Sequence, residues 1–336
     1  MMKLDFDDVL IVPQFSNITS RSQVNVTTTI QGKWGTSITG VPIIAANMDG
    51  VGTFSMHHAL KKFGVFTSIT KHHTLQHWLA QEDISHAFVT IGMSDEDLGM
   101  ALDVSSYMRN KALKPKIVID VANGYMNSFY DFVSRVRENI PDAFIMAGTV
   151  VTPEAVERII LAGADLARVG IGTGAVCTTR RVAGVGYPQF SALQECVPAA
   201  ASVGGGVQSD GGCVFPGDFS KAFGIGAKMV MAGSVFAGHD ESEQEIRDGK
   251  IIFYGMSSHA AQEKHNQHKK YRASEGRVVQ LPYKGLVEHT ISDILGGIRS
   301  TCAYVDALNI SELPEKTKFI QVNHVLNRSL EQYTVQ

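Results

Sequence analysis

The chain has no apolar run that approaches the ~18–20 residues of a membrane span, and it is poor in charge. Charged residues make up 19% of 336 positions and leave a formal net charge of -3. A nucleic-acid partner usually leaves a basic excess or stripe, so that class is excluded. Cysteine is scarce, and the four thiols, at 177, 196, 213 and 302, have no C-x-x-C spacing. This removes zinc-ribbon and dithiol redox motifs and predicts free thiols in a reducing cytoplasm. The opening MMKLDFDDVL has no basic segment leading into an apolar core, so no secretory leader is expected. Internal repeats and low-complexity tracts are also missing. What is present is a hydrophobic content of 44%, enough for the sizeable core of a cytoplasmic globular protein.

Eight short runs, apolar and rich in β-branched residues, recur at the spacing of βα units. They are VPIIAANM (41–48), VFTSIT (65–70), HAFVTIG (86–92), KIVIDVA (116–122), AFIMAGTV (143–150), LARVGIG (166–172), VGGGVQSD (203–210) and AKMVMAG (227–233). Most stop at Gly, Asn or Asp, as buried parallel strands feeding functional loops do. Amphipathic stretches lie between them, including SFYDFVSRVREN (128–139) and TPEAVERIILAGA (152–164). In the second, Thr152 is placed to cap a helix that starts at Pro153. The alternation predicts an α/β fold, a (β/α)8 TIM barrel filling 1–336 as one domain, with its site at the C-terminal ends of the strands. An open doubly wound sheet of six to eight strands is the alternative. The weakest strand is 203–210, where three consecutive glycines lower the propensity. Residues 238–290 break the rhythm with a polar, Lys- and His-rich segment. It reads as a mobile flap inserted after strand eight, or as a solvated surface excursion. A helical pattern follows at 291–305, and residues from about 329 to 336 read as a poorly ordered tail.

The stretch GIGTGAVCTTRRVAGVGYPQ (170–189) carries two competing signals. Gly170, Gly172 and Ala175 satisfy G-x-G-x-x-[GA], and Glu195 lies twenty residues beyond Ala175. A dinucleotide fingerprint needs a helix directly after its glycines and an acid at the end of the next strand. Here the glycines lead into a segment without helical periodicity, and Glu195 sits in the helical pattern FSALQEC. The match is accidental. Cys177 instead follows strand six, where a barrel keeps its reactive groups. Loop amides together with Arg180 and Arg181 would lower a thiol pKa toward neutrality, and Thr178 and Thr179 supply hydroxyls for proton relay. A small buried hydrophobe is the competing reading for any free cysteine, and it is the one that suits Cys196. SDGG (209–212) and MAGS (231–234) end strands seven and eight, where barrels bind phosphate. Their glycines allow amides to approach an anion, whereas Asp210 suits ribose hydroxyls. A nucleoside monophosphate fits that pairing.

Several blocks resemble the IMP dehydrogenase/GMP reductase family. They are LDFDDVLIVP (4–13), ANMDGVGT (46–53), DVANGY (120–125), the Cys177 loop, SDGGC (209–213), YGMSS (254–258), YRASEG (271–276), PYKG (282–285) and ILGGIRSTCAYV (294–305). The similarity spans nearly the whole chain. No room exists for the regulatory domain that dehydrogenases usually insert, and the flap has YRASEG in place of their water-activating Arg-Tyr pair. Both features favour the reductase branch. The resemblance then implies NADPH-dependent conversion of GMP to IMP and ammonia through a covalent Cys177 intermediate, with Thr179 and Glu275 delivering the proton. It implies ribose and phosphate contacts at Asp210, Gly211, Gly212, Gly233 and Ser234. It implies base contacts at Gly255, Met256, Ser257, Arg272, Ala273, Ser274, Glu275 and Gly276. Cofactor contacts implied are Ser20, Arg21, Lys71, Asp120, Val121, Ala122, Met256, Tyr271 and Arg272, with Ser300, Thr301, Cys302 and Ala303 supplied by a neighbouring subunit of a homotetramer. A monovalent cation, K+, is implied at Gly172, Gly174, Cys177 and Arg180.

The sequence departs from the family at Thr173 and Ala175, where Pro and Ser are usual, at Ser234 in place of a common Gly, and at Gly50 in place of Thr. A lost Pro is expected to loosen the loop. A compact IMP dehydrogenase, a flavin-dependent barrel oxidoreductase and a catalytically silent nucleotide-binding barrel remain as alternatives.

Overall fold

A computed structural model describes residues 2–265 and 273–323. Eight parallel strands are arranged in chain order: β1 (Ser37–Ala45), β2 (Val65–Ile69), β3 (Ala87–Ile91), β4 (Lys116–Asp120), β5 (Phe144–Val150), β6 (Leu166–Val169), β7 (Gly206–Asp210) and β8 (Met229–Ala232). Each pairs with the next, and β8 returns to β1 through Val230↔Ile43 and Met231↔Ile44. The sheet is therefore closed, as the (β/α)8 reading requires, and the open doubly wound alternative is excluded. Strands β2 and β3 are buried at every position, because the barrel interior covers one face and helices the other. That double burial is why they read as continuous apolar runs rather than alternating ones.

The intervening helices are α1 (Phe54–Leu60), α2 (Leu75–Leu79), α3 (Asp95–Asn110), α4 (Asn127–Asn139), α5 (Pro153–Ala162), α6 (Thr179–Val182), α7 (Gln189–Ser202) and α8 (Pro216–Gly224). Strand boundaries differ from the sequence reading by three residues or more in β1, β6 and β7. β1 starts at Ser37 because Thr28–Gln31 folds back antiparallel onto its first residues. β6 stops at Val169, where the chain leaves the ladder for the Cys177 loop. β7 starts only at Gly206, since Val203 still caps α7. Thr152 does occupy the N-cap of α5 with Pro153 behind it, although its hydroxyl makes no cap bond.

After β8 the chain forms an antiparallel sheet of β9 (Ile246–Arg247), β10 (Lys250–Tyr254) and β11 (Val278–Pro282), with α9 (His259–Lys264) between its second and third strands. It then resumes with the long helix α10 (Val287–Tyr304). The tail expected from 329 to 336 lies outside the described residues. No helix among the described residues is long and apolar enough to cross a membrane.

One buried ion pair holds the closed face of β6. Asp165, fully enclosed just before that strand, accepts from Arg137 Nη2 at 2.8 Å and from the amide of Ile145 at 2.9 Å. Arg137 also donates to the carbonyls of Gly163, Pro141 and Ala143. The pair thus ties the ends of α4 and α5 to β5 and β6. Asp165→Asn keeps the volume but leaves a buried guanidinium without its counter-charge. Urea unfolding should show a loss of about 3–5 kcal/mol. A loss below about 1 kcal/mol, the level of a surface pair, would mean the clamp is dispensable.

Candidate active site

The loops at the C-terminal ends of the strands enclose a cavity of about 330 Å³. Its nucleophile wall is the segment that follows β6. A Cβ on Gly170 would lie 2.1 Å from the carbonyl oxygen of Asp210, so only glycine lets the loops after β6 and β7 approach this closely. The chain then turns back, with the Cys177 amide donating to the carbonyl of Gly174 at 3.0 Å. Cys177 lines the cavity and is half-buried, whereas Cys196, Cys213 and Cys302 are buried. Burial pushes the Cys196 and Cys302 thiols up to about 12 and that of Cys213 well above its ordinary value. Those three are inert at neutral pH, as expected for Cys196.

The Cys177 thiol donates to Thr179 Oγ1 at 3.3 Å, and the Thr179 hydroxyl donates to Glu275 Oε2 at 2.8 Å. Glu275 lies about a hundred residues further along the chain, in the insertion. Its alignment is set by backbone: Cys177 and Gly276 form an antiparallel bridge. The Thr178 amide donates to the Glu275 carbonyl, and the Arg277 amide to that of Val176, both at 2.9 Å. The Arg277 guanidinium adds two bonds to the carbonyl of Ala175, at 3.0 and 2.7 Å.

The expected role of the arginines is not what the geometry gives. Arg180 donates to Asp5 at 3.0 Å and to the carbonyl of Tyr187 at 2.7 Å, and Arg181 is exposed. Arg180 packs beneath Gly172 and Gly186 and shapes the loop from behind. The expected loosening at Thr173 also has a counterweight, because its hydroxyl donates to the Asp210 carbonyl at 2.9 Å.

The opposite wall holds Gly211, Gly212, Gly233 and Ser234. Gly211 and Gly212 have φ of 77 and 84, a left-handed pair that turns the chain directly after β7. A Cβ at Gly233 would meet the Met48 sulfur at 2.8 Å. Gly255, Met256 and Ser257 close the third side. Gly276 packs against Ser258, Ser274 donates to the Gly276 carbonyl, and Ala273 is exposed. Tyr271 and Arg272 lie outside the described residues.

Asp120, Val121 and Ala122 form the fourth side, with Ala122 exposed at the rim. Lys71 is exposed and does not line the cavity. Ser20 and Arg21 are exposed on a turn that packs against α10, the helix carrying Ser300, Thr301, Cys302 and Ala303. The structure therefore gathers these two segments into one patch of their own, apart from the cavity within a single chain. Of the residues assigned to the cation, Gly172, Gly174 and Cys177 lie on the cavity loop, and Arg180 stands behind it.

Two features escaped the sequence reading. Arg168, on β6, is buried in the cavity floor and bonds Asp120 Oδ1 at 2.6 Å and Asp210 Oδ2 at 2.8 Å. A charge inside the apolar run LARVG was the available signal. Burial opposes the charge of Arg168, but the two carboxylates outweigh it and raise its pKa. Asp210 is pushed above the usual carboxylate range by burial, with Arg168 pulling against that shift. The second feature is Asp49, after β1. Its Oδ2 accepts from Tyr254 at 2.8 Å, pairs with His265 at 2.9 Å and meets Lys264 at 3.0 Å. Burial disfavours the Asp49 carboxylate, yet these bonds hold its pKa below the ordinary value. His72 stacks on His265 with ring centroids 3.4 Å apart. Burial and that neighbour push His72 down to about 4. The insertion is thus fastened to the barrel beside the cavity.

A model of the IMP dehydrogenase / GMP reductase domain matches residues 3–328. The chain is 48% identical to GMP reductase of Klebsiella pneumoniae subsp. pneumoniae, covering 97% of both chains. It is 48% identical to GMP reductase 2 of Homo sapiens, covering 97% of this chain and 96% of the human one. GMP reductase of Vibrio cholerae serotype O1 is 47% identical over the same shares. With a closed barrel, a half-buried thiol after β6 and this similarity along its length, the chain belongs to the IMP dehydrogenase/GMP reductase family of oxidoreductases.

Proposed function

We propose that this chain converts GMP, NADPH and a proton to IMP, ammonia and NADP+ at the cavity lined by Cys177, Thr179 and Glu275. The observation that carries the reading is the unbroken Cys177–Thr179–Glu275 chain, with links of 3.3 and 2.8 Å, on the cavity wall. Displacing an amine from a purine requires a nucleophile at carbon 2 and a proton for the departing nitrogen. The Cys177 sulfur bonds to carbon 2 as its proton passes through Thr179 to Glu275. The carbon–nitrogen bond then breaks, and ammonia leaves with a proton passed from Glu275 through Thr179. NADPH, when bound, supplies the hydride for that carbon, and the carbon–sulfur bond breaks to release IMP and the thiolate. The intermediate need not be hydrolysed, so a water-activating pair has no task here.

Gly211, Gly212, Gly233 and Ser234 hold the phosphate in this reading, and Asp210 accepts from the ribose. Gly255, Met256, Ser257, Ala273, Ser274 and Gly276 surround the base, with Arg272 completing that set. Asp120, Val121 and Ala122 fit the nicotinamide side because they share the cavity with Cys177 while leaving its rim open at Ala122. Lys71 and Tyr271 extend that side. Ser20, Arg21 and Ser300–Ala303 serve a neighbouring subunit's cofactor in a cytoplasmic homotetramer, which suits a patch standing apart from its own cavity. The insertion at about 238–290 acts as the mobile flap. Carbonyls of Gly172, Gly174 and Cys177, with Arg180 behind them, would be the oxygens that replace the hydration shell of K+.

The deciding assay follows NADPH absorbance with GMP present and measures ammonia. Wild type should consume NADPH only with GMP, and Cys177→Ala should lose at least about 10³-fold in kcat. Reduction of NAD+ by IMP without GMP-dependent NADPH loss would make the chain a dehydrogenase. Turnover that survives Cys177→Ala would exclude the covalent route. For Glu275→Gln we expect kcat to fall about 10²-fold or more with KM for GMP nearly unchanged. A loss confined to KM would assign Glu275 to binding instead.

A further inference from the structure

We infer that Arg168 is a positioning residue that couples the two ligand-binding sides of the cavity by orienting Asp120 and Asp210 together. The inference rests on the GMP and NADPH reading above. Asp210 ends β7, on the side assigned to ribose, and Asp120 ends β4, on the side assigned to nicotinamide. Arg168 stands on β6 between them, with one guanidinium nitrogen on each acid, at 2.6 Å to Asp120 and 2.8 Å to Asp210. A fork of this kind fixes direction as well as charge.

The path to Asp120 crosses β5, and the residue paired with Arg168 there is Gly148. A Cβ at Gly148 would lie 2.6 Å from the Arg168 Cβ, so a glycine is what leaves the lane open for the side chain. Arg168 also contacts the Met231 sulfur on β8 at 3.6 Å, which fixes the guanidinium from another side. The charged groups acting on Asp210 are Arg168 and Asp120. Without Arg168, two acids would face one cavity with no cation between them. Asp210 would lose the cation that favours its charged form, and both acids would lose the group that orients them. A side chain serving structure alone would carry no such double effect.

The test compares Arg168→Met and Arg168→Lys with wild type, measuring KM for GMP and for NADPH separately across pH. In Arg168→Met, both KM values should rise about tenfold or more. The acidic limb of kcat/KM for GMP should move to higher pH, because losing a cation favours protonated Asp210. Arg168→Lys keeps a charge near both acids and should restore the position of that limb, with a smaller rise in KM. It also keeps the test available if Arg168→Met does not fold. As a double-mutant cycle, Arg168→Met with Asp210→Asn should be less than additive in KM for GMP. Variants that are less stable but retain wild-type KM values and acidic limb would overturn the inference while leaving the functional reading intact. No GMP-dependent turnover in wild type would overturn the functional reading itself, and with it this role.

Discussion

The site depends on a short stretch of backbone pairing between two segments far apart in the chain. Cys177 and Gly276 bridge, and the amides of Thr178 and Arg277 donate hydrogen bonds to the carbonyls of Glu275 and Val176. Remove that pairing and the thiol remains at the mouth of the barrel, but the carboxylate that ends the Cys177–Thr179–Glu275 hydrogen-bond chain has no fixed place. The barrel sets the stage for this by closing β8 on β1, which brings the loops after β6, β7 and β8 to one rim. The insertion then reaches back over that rim. It is fastened by this ladder on the Cys177 side and, on the other, by Asp49 with Tyr254, Lys264 and His265.

The electrostatics of the cavity divide along the same lines. Its floor holds one guanidinium and two carboxylates in contact, whereas the glycine-rich wall after β7 and β8 offers backbone to an anion. The thiol wall is served by hydroxyl and carboxylate rather than by arginine. Arg180 is engaged with Asp5 and the Tyr187 carbonyl, so its guanidinium acts as loop scaffolding.

The barrel was legible because burial on both faces leaves a plain mark, a run of apolar residues ending at a polar loop. All eight strands lie where those runs are. What blurred their ends was local: a hairpin partner extended β1, and the end of α7 absorbed Val203. Cys177 was legible as a cavity-facing thiol from its place after strand six, and Thr179 as a hydroxyl beside it, whereas Glu275 followed only from family resemblance. No spacing rule joins residues 177 and 275, because a tertiary ladder makes that contact. Arg168 and Asp49 were missed for a related reason. Each is a single charge whose meaning comes from residues on other strands or in the insertion. Thr173 read as a weakened position, yet its hydroxyl reaches Asp210 and ties two loops together.

The central claim is that a purine becomes bonded to the Cys177 sulfur during turnover. Acid quenching of the enzyme during turnover of GMP and NADPH, followed by intact-mass and peptide mass spectrometry, tests it directly. The account predicts a mass gain equal to GMP less ammonia, located on the peptide that contains Cys177. Quenched samples that turn GMP over steadily, yet carry no adduct or carry it on another residue, would contradict it.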